Sequence, residues 1–331
     1  MGVGRKSGRS AGGRLVGRAL VLGAAFAVDA VIGDPVRPTH PARVLGRTIQ
    51  LYEWTARRLP GLSGDPGKER AAGVALAVGL PVGAFALTRR LLRSLPGWAR
   101  PAVDVWLVST ALAGTELVRS AERVSQGLDA SLEDGRRAVS MIVGRDTRAM
   151  TESDVVRSAV ESVAENTSDG VIAPLLYAAV GGAPVALAYK AVSTLDSMVG
   201  YRTERHLHFG RSSARLDDAA NLIPARVTAV LAILAGGRGT GALRRAWAER
   251  VHHPSPNAGL VEAAFANALG VRLGGPVAYG GRVVERPFLG GAASPPPAAA
   301  DLARVAALSR RVSVLAVGAC VGGLLVAGSA R

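Results

Sequence analysis

The sequence predicts an all-α fold: a polytopic integral membrane protein with about five transmembrane helices and amphipathic cytoplasmic helices. Two observations carry that prediction. The 331 residues are 49% hydrophobic with a mean hydropathy of +0.25, yet 40 Lys and Arg against 25 Asp and Glu leave a formal net charge of +15. Such apolar content and such charge coexist when they are segregated, and here apolar stretches alternate with Arg-rich ones, as in multi-span proteins. Only Lys6, Lys68 and Lys190 are lysine, so individual arginines carry little information and a lysine stands out. The single cysteine, Cys320, excludes an intrachain disulfide and a cysteine-rich metal site.

Taken in order, residues 1–14 read as a disordered basic arm (Arg5, Lys6, Arg9, Arg14), and residues 15–331 as one membrane-embedded domain. A basic head before the apolar run Leu20 to Ile32 resembles a signal peptide. The run ends in Asp29 and Gly33-Asp34-Pro35 with no small-residue cleavage site, so an uncleaved anchor is expected, its head in the cytoplasm. The expected spans are 15–33, 71–92, 101–118, 170–189 and 312–330, each near the roughly 20 residues a bilayer requires. Between the first two, GDPVRPTHPARVLG places Asp34 and His40 in a proline-rich segment that resists regular helix. A histidine in that setting is either a structural hydrogen-bonder or a ligand. Pro81 should kink the second span. Asp104 and Glu116 in the third require an interface or a polar cavity.

Residues 119–157 are polar and amphipathic, and with Arg145 and Asp146 in GRDT they lead into the most informative stretch. On a helix over 154–169, the residues Asp154, Ser158, Glu161, Glu165 and Asp169 fall within about a quarter of the circumference. Val155, Val156, Ala159, Val160 and Val163 take the other side. Like charges at i, i+4 cost a few tenths of a kcal/mol per pair, which a nearby cation would offset. A solvated helix face is the plain alternative. Gly170 is expected to stop this helix.

The next run is interrupted by Pro174, Gly181, Gly182 and Pro184, and an interrupted span lines a cavity because its freed carbonyls need partners other than lipid. Lys190, Ser193, Thr194 and Ser197 then share one face. Lys190 is expected to meet an anionic group, against the alternative of snorkelling to headgroups. Asp217 and Asn221 sit at i, i+4 before Pro224. Residues 227–234 are too short to span, so a re-entrant or buried core helix is expected there. Ser255 reads as an N-cap with Pro256 at the first helical position. That cap leaves Asn257, Glu262 and Asn267 unexplained. There is no G-x-x-x-x-G-K-[ST], no G-x-G-x-x-G in a strand–turn–helix setting, no HEXXH and no nucleophile elbow. With 4% aromatic residues, stacking on nucleic acid is not the use of the positive charge.

Several blocks resemble the cobalamin-biosynthesis CobD/CbiB family. They are DAVIGDPVRPTHP from Asp29, GRDT from Gly144, ESVAENTSDGVIAPLLYAAVGGAPVALAYKAVSTLDSMVGY from Glu161, ARLDDAANLIPAR from Ala214, SPNAG from Ser255 and EAAFANALGVRLGGP from Glu262. Two positions depart from the family pattern: Ser193 stands for Asn, and Leu260-Val261 for Trp-Pro. The resemblance implies a multi-pass enzyme of the cell membrane, an adenosylcobinamide(-phosphate) synthase. It would join the ring D propionate of adenosylcobyric acid to (R)-1-amino-2-propanol or its O-phosphate, with ATP hydrolysed to ADP and phosphate.

That chemistry needs Mg2+ on ATP oxygens, cationic groups on the phosphoryl and a base for the ammonium proton. Glu161, Glu165, Asp169 and Lys190 are the expected catalytic residues, with Mg2+ on Glu165, Asp169, Asp217 and Asp218. Substrate contacts are expected from Asp34, His40, Arg145, Asp146, Asn166, Thr194, Asp196, Asn221, Arg226, Ser255, Asn257 and Glu262. The implied partners are the corrinoid, the amino alcohol or its phosphate, ATP, the lipid bilayer and other late cobalamin-pathway membrane enzymes. Two other classes fit less well. A secondary transporter of a corrinoid or anion would show paired interrupted segments in two halves, and a scaffold would not need such dense acid clusters.

Overall fold

Apolar length decides the frame. The computed structural model describes residues 11–33, 40–62, 64–201, 203–279, 282–291 and 293–330. α1 (Ala11–Ile32) already includes residues 11–14 of the expected disordered arm. Asp34 lies outside the described residues. α2 (Pro41–Arg57) starts with proline at its first position and His40 as N-cap, which reconciles the proline-rich segment with a helix directly after it. α3 (Pro66–Ser94) is capped by Asp65, whose side chain accepts from Gly67 N and Lys68 N, and it runs through Pro81 without a break.

The expected third span is instead two helices. α4 (Arg100–Ser109) has ten residues, and α5 (Gly114–Ala130) is amphipathic. A tertiary bond holds the break between them, Ala113 N donating to Gly170 O at 2.9 Å, while Asp104 within α4 accepts from Ala183 N at 3.1 Å. α6 (Leu132–Ser140) and α7 (Glu152–Thr167) follow. A π-helical turn, Ser168–Ile172, joins α7 to α8 (Ala173–Gly181). The expected fourth span is a hairpin of α8 with α9 (Ala183–Val199), each too short to cross alone. It turns at Gly182, whose φ of 70° an L side chain would resist.

α10 (Arg211–Ala220) and α11 (Leu222–Ala235) meet at a bend of 48°. The run 227–234 lies within α11. α12 (Thr240–Glu249) leads to α13 (Ala258–Leu269), which is buried on every side. Two short antiparallel ribbons pair β1 (Leu273–Gly274) with β4 (Phe288–Leu289) and β2 (Val277–Tyr279) with β3 (Arg282–Val284). α14 (Ala300–Ser329) closes the described chain.

The fold is therefore all-α, with α1, α3 and α14 long and apolar enough to cross a bilayer, and α10–α11 a fourth if the bent pair is one span. Among the described residues three helices, or four with the bent pair, meet that length and apolarity, against the about five spans expected. Local hydropathy did not register the breaks at Thr110–Ala113 and Gly182.

α1 and α14 run antiparallel. Gly328 packs on Gly12 and Val16 at one end, while Thr115 bonds Asp29 and the Thr167 hydroxyl lies 2.7 Å from that of Ser309 at the other. From Asp29 down to Ala11, and from Ser309 down to Ser329, the helices advance about 27 and about 30 Å at 1.5 Å per residue. That matches a hydrocarbon core. The far end also gathers Arg14, Arg18, Leu92, Arg100 and the Gly181–Gly182 turn around one groove. The start of α1 and the end of α14 thus lie at the opposite end of this helix pair from the close of the acidic helix.

One further anchor frames the site. Glu53 on α2 accepts from Arg57 (2.8 Å), Arg205 (2.7 Å) and His206 (3.1 Å), tying the α9–α10 connection to α2. Burial alone would raise its pKa, but these hydrogen bonds prevail and pull it down to about 2. The membrane frame predicts that alkaline carbonate washing leaves the protein in the bilayer. Single cysteines placed near Gly17 and near Arg148 should label from opposite sides, in a chain whose Cys320 has been replaced. Labelling of both from one side would refute the arrangement.

Candidate active site

The acidic stripe of α7 divides by function. At its start, Thr151 and Asp154 form a reciprocal capping box, and Asp154 also pairs with Arg157 at 2.8 Å. Ser158 is fully buried beside the Met150 sulfur. The next three acids face a cavity of ≈ 580 Å3. Gly170 does not end the helix. It lies in the π turn, where its carbonyl accepts from Ala113 and a Cβ would come within 3.4 Å of the Ala113 side chain. A π turn adds a residue to the helical ring, so the face presented after Asp169 is shifted from the ideal stripe.

The cavity collects Arg145, Glu161, Glu165, Asn166, Asp169, Asp196, Asp217, Ser255 and Glu262, together with Ser193, Tyr201, His253 and Arg286. Glu161 is the most constrained. One oxygen pairs with Arg145 at 2.8 Å and the other accepts from Gly274 N at 2.8 Å, with the Glu161 side chain only 4% exposed. Both oxygens have partners, so Glu161 positions Arg145 and β1 and is not a free ligand. Asn166 donates to Ser162 O at 2.8 Å.

Glu165 is exposed to the open cavity, with several acids around it. Burial, then the charge of Asp196, pushes its pKa up, against the pull of Arg145. Asp169 is pushed well above the usual carboxylate range by burial and by Glu165 and Asp217. Burial and the charge of Asp218 bring Asp196 to about 6. Asp217 accepts from Asn221 at 2.9 Å through one oxygen, while its other oxygen is buried without a hydrogen bond. Asn221 is held in turn by the Tyr189 hydroxyl at 2.8 Å, and Tyr189 stacks on Tyr177. Glu262 is buried 3.8 Å from His253. Burial and the charges of Glu161 and Glu165 raise its pKa, and burial lowers that of His253, so both favour their neutral forms.

Among the described residues, no three His, Cys, Asp or Glu are already gathered as a metal site. Mg2+ on a nucleotide asks for less: one or two carboxylates, with phosphates and water completing its shell. Glu165, Asp169 and Asp217 fit that demand, as hard oxygen donors on one cavity with an orphaned oxygen among them. Asp218, the fourth expected ligand, is exposed and outside the cavity lining.

Several expected contacts have structural partners instead. Asn257 donates to Asp218 O (2.7 Å) and accepts from Arg226 (2.9 Å), and Arg226 also donates to Leu222 O (2.6 Å). These bonds bracket the α10–α11 corner against the start of α13. Asn257 and Arg226 are thus committed to that corner. Ser255 keeps a capping bond from Ala258 N at 3.3 Å, although regular helix starts at Ala258 and not at Pro256. Asp146 pairs with Arg148, whose hydrogen bonds hold it down to about 2, and it lines a neighbouring cavity. His40 is buried at the start of α2. Lys190 is half-buried on α9 outside the cavity lining, its carbonyl accepting from Thr194 at 2.7 Å. Arg286, His253 and Tyr201 went unrecognised in the sequence, because each sits in a connection with no periodicity to mark it.

Comparison with known proteins follows the same lines. The family profile described as CobD/Cbib protein matches residues 22–309. The chain is 48% identical over 283 residues to the cobalamin biosynthesis protein CobD of Geobacter metallireducens, covering 82% of this chain and 86% of that one. It is 43% identical over 305 residues to CobD of Klebsiella pneumoniae subsp. pneumoniae, covering 90% and 95%. It is 44% identical over 300 residues to CobD of Mycobacterium tuberculosis, covering 88% and 92%. No solved structure matches. A profile match across most of the chain, with relatives at this identity and coverage, makes the protein a member of the CobD/CbiB family.

Proposed function

We propose that this protein acts in cobalamin biosynthesis as an ATP-dependent amide synthase. It would join the ring D propionate of adenosylcobyric acid to (R)-1-amino-2-propanol or its O-phosphate, giving adenosylcobinamide or its phosphate. The observation that carries the reading is one cavity combining Glu165, Asp169, Asp196 and Asp217 with Arg145 and Arg286, in a chain whose relatives are named cobalamin biosynthesis proteins.

A carboxylate and an amine at neutral pH form a salt, so the propionate must first be activated. Its oxygen attacks the γ-phosphorus, ADP leaves, the amine adds to the acyl phosphate, and phosphate departs. Glu165, Asp169 and Asp217 hold the nucleotide's Mg2+, which neutralises phosphate charge. Arg145, aligned by Glu161, and Arg286 face the moving phosphoryl. Asp196, with its pKa near 6, takes the ammonium proton.

ATP is a cytoplasmic substrate, so the cavity faces the cytoplasm and the ends of α1 and α14 lie at the outer surface. Arginines flank both ends of the slab (Arg14, Arg18, Arg93 and Arg100 against Arg43, Arg47, Arg57 and Arg58), so a positive-inside count does not choose between orientations. A cavity at one end of the bundle also differs from the midplane site of a secondary transporter.

The decisive test is reconstitution of detergent-purified protein with ATP, Mg2+, adenosylcobyric acid and each amine, read by mass spectrometry. ADP and amide should appear together, and failure to form amide with either amine would end the proposal. A pH dependence also follows. Burial and neighbouring acids raise the pKa values of Glu165 and Asp169, so protons compete with Mg2+ there and cation affinity should fall as pH drops. Stability has the opposite sign. Because the folded state holds a proton on Asp196 that the unfolded chain has lost, cation-free stability should decline as pH rises through about 6, and Mg2+ should restore it. Thermal unfolding at pH 5 and 8, with and without Mg2+, measures both effects.

A further inference from the structure

Beside the carboxylate cavity lies a second, of ≈ 510 Å3, and Arg145 belongs to the walls of both. Its chemistry is different. Pro276, Val277, Val283 and Phe288 supply apolar walls, with Arg157 and Arg272 among them. Arg272 lies over the Phe288 ring at 4.3 Å from the centroid. Arg157 is pinned by Gly274 O (2.5 Å), Pro276 O (3.1 Å) and Asp154 (2.8 Å), which fixes the approach of the ribbons to α7. Val283 is 65% exposed and Phe288 46%, while Leu273, Val277 and Leu289 of the same ribbons are buried.

A guanidinium–aromatic pair opposite aliphatic side chains suits a flat heteroaromatic ring, which stacks on π faces and cations alike. The volume falls in the range of small-molecule sites, roughly 300–1,000 Å3. We propose that this second cavity receives a purine nucleoside, with its base against Phe288 and Arg272 and its ribose toward Arg145. The inference rests on the ATP-dependent reading above. In that reading two molecules carry the same adenosine group, ATP and the corrinoid with its cobalt-bound adenosyl ligand. The shared Arg145 wall favours ATP: a nucleoside seated here has its 5′ side at the boundary with the carboxylates, where phosphates meet Mg2+.

The test is equilibrium dialysis of the full-length protein in detergent with Mg–ADP, free adenosine, adenosylcobyric acid and cobyric acid lacking the adenosyl group. Wild type is compared with Phe288→Ala and Arg272→Ala, and thermal unfolding checks that each variant is folded. Phe288→Ala should weaken Mg–ADP binding about tenfold, the scale of one lost base–aromatic stack, and leave both corrinoids unchanged. Selective loss of the adenosylated corrinoid would still support a nucleoside site but assign it to the cobalt ligand. Unchanged affinities for every adenosine compound in both folded variants would overturn the site. If wild type binds adenosine through Phe288 yet neither Mg–ADP nor a corrinoid, the synthase reading falls and the nucleoside site stands.

Discussion

Glu165→Gln should lower turnover by about a hundredfold or more while the protein remains folded and inserted, because charge-stabilising and acid–base residues contribute on that scale. Glu165 faces the cavity, and among the described residues no hydrogen bond or ion pair neutralises it as Arg145 does Glu161. Its raised pKa reflects burial and the neighbouring acids Asp196 and Glu161. Replacing the carboxylate by an amide removes part of that repulsion, so the thermal midpoint should hold or rise. Rate and unfolding measurements on the same preparation separate the outcomes. A parallel loss of folding and activity would make the residue structural, and an undiminished rate would move the chemistry elsewhere.

Arg145→Ala should act on the fold as well as on the rate. It leaves the Glu161 carboxylate, 4% exposed, with the Gly274 amide as its one remaining partner among the described residues. Orphaning one member of a buried pair typically costs about 3–5 kcal/mol. The double variant Arg145→Leu with Glu161→Leu removes both charges and should recover most of that stability, since buried pairs often exchange for apolar residues at little net cost. Turnover should not recover, because the cation beside the phosphoryl is still missing. Equal thermal midpoints for the single and double variants would show that the pair is not the origin of the loss.

The contrast between these two glutamates marks the limit of periodicity. Helical spacing places Glu161 and Glu165 on one face as equals, and they do line the same cavity. What separates them is Arg145, reaching from the loop before α7, and Gly274 N, 113 positions away. The same limit explains Asp154, which looks like part of the stripe but serves as a helix cap. It also explains Asn257 and Arg226, polar residues whose partners are one another. Arg286 and His253 carried no sequence signal, because a loop residue's placement depends on what its flanking elements pack against.

From the sequence alone came the all-α membrane class, the apolar lengths of α1, α3 and α14, the clustering of Glu161, Glu165 and Asp169, and the family blocks. Each is written in a local run, through hydropathy, a 3.6-residue period or a contiguous motif. The tertiary structure decided the rest. It broke two expected spans, at Thr110–Ala113, where Ala113 N bonds Gly170 O, and at the turn of Gly182. It separated the acids already paired from those left open to the cavity. It also put the close of the acidic helix and the outer ends of α1 and α14 at opposite ends of the α1–α14 pair. These outcomes rest on contacts between distant positions, such as Arg18 with Val180 across 162 residues, and no local pattern encodes the partner that will neutralise a charge.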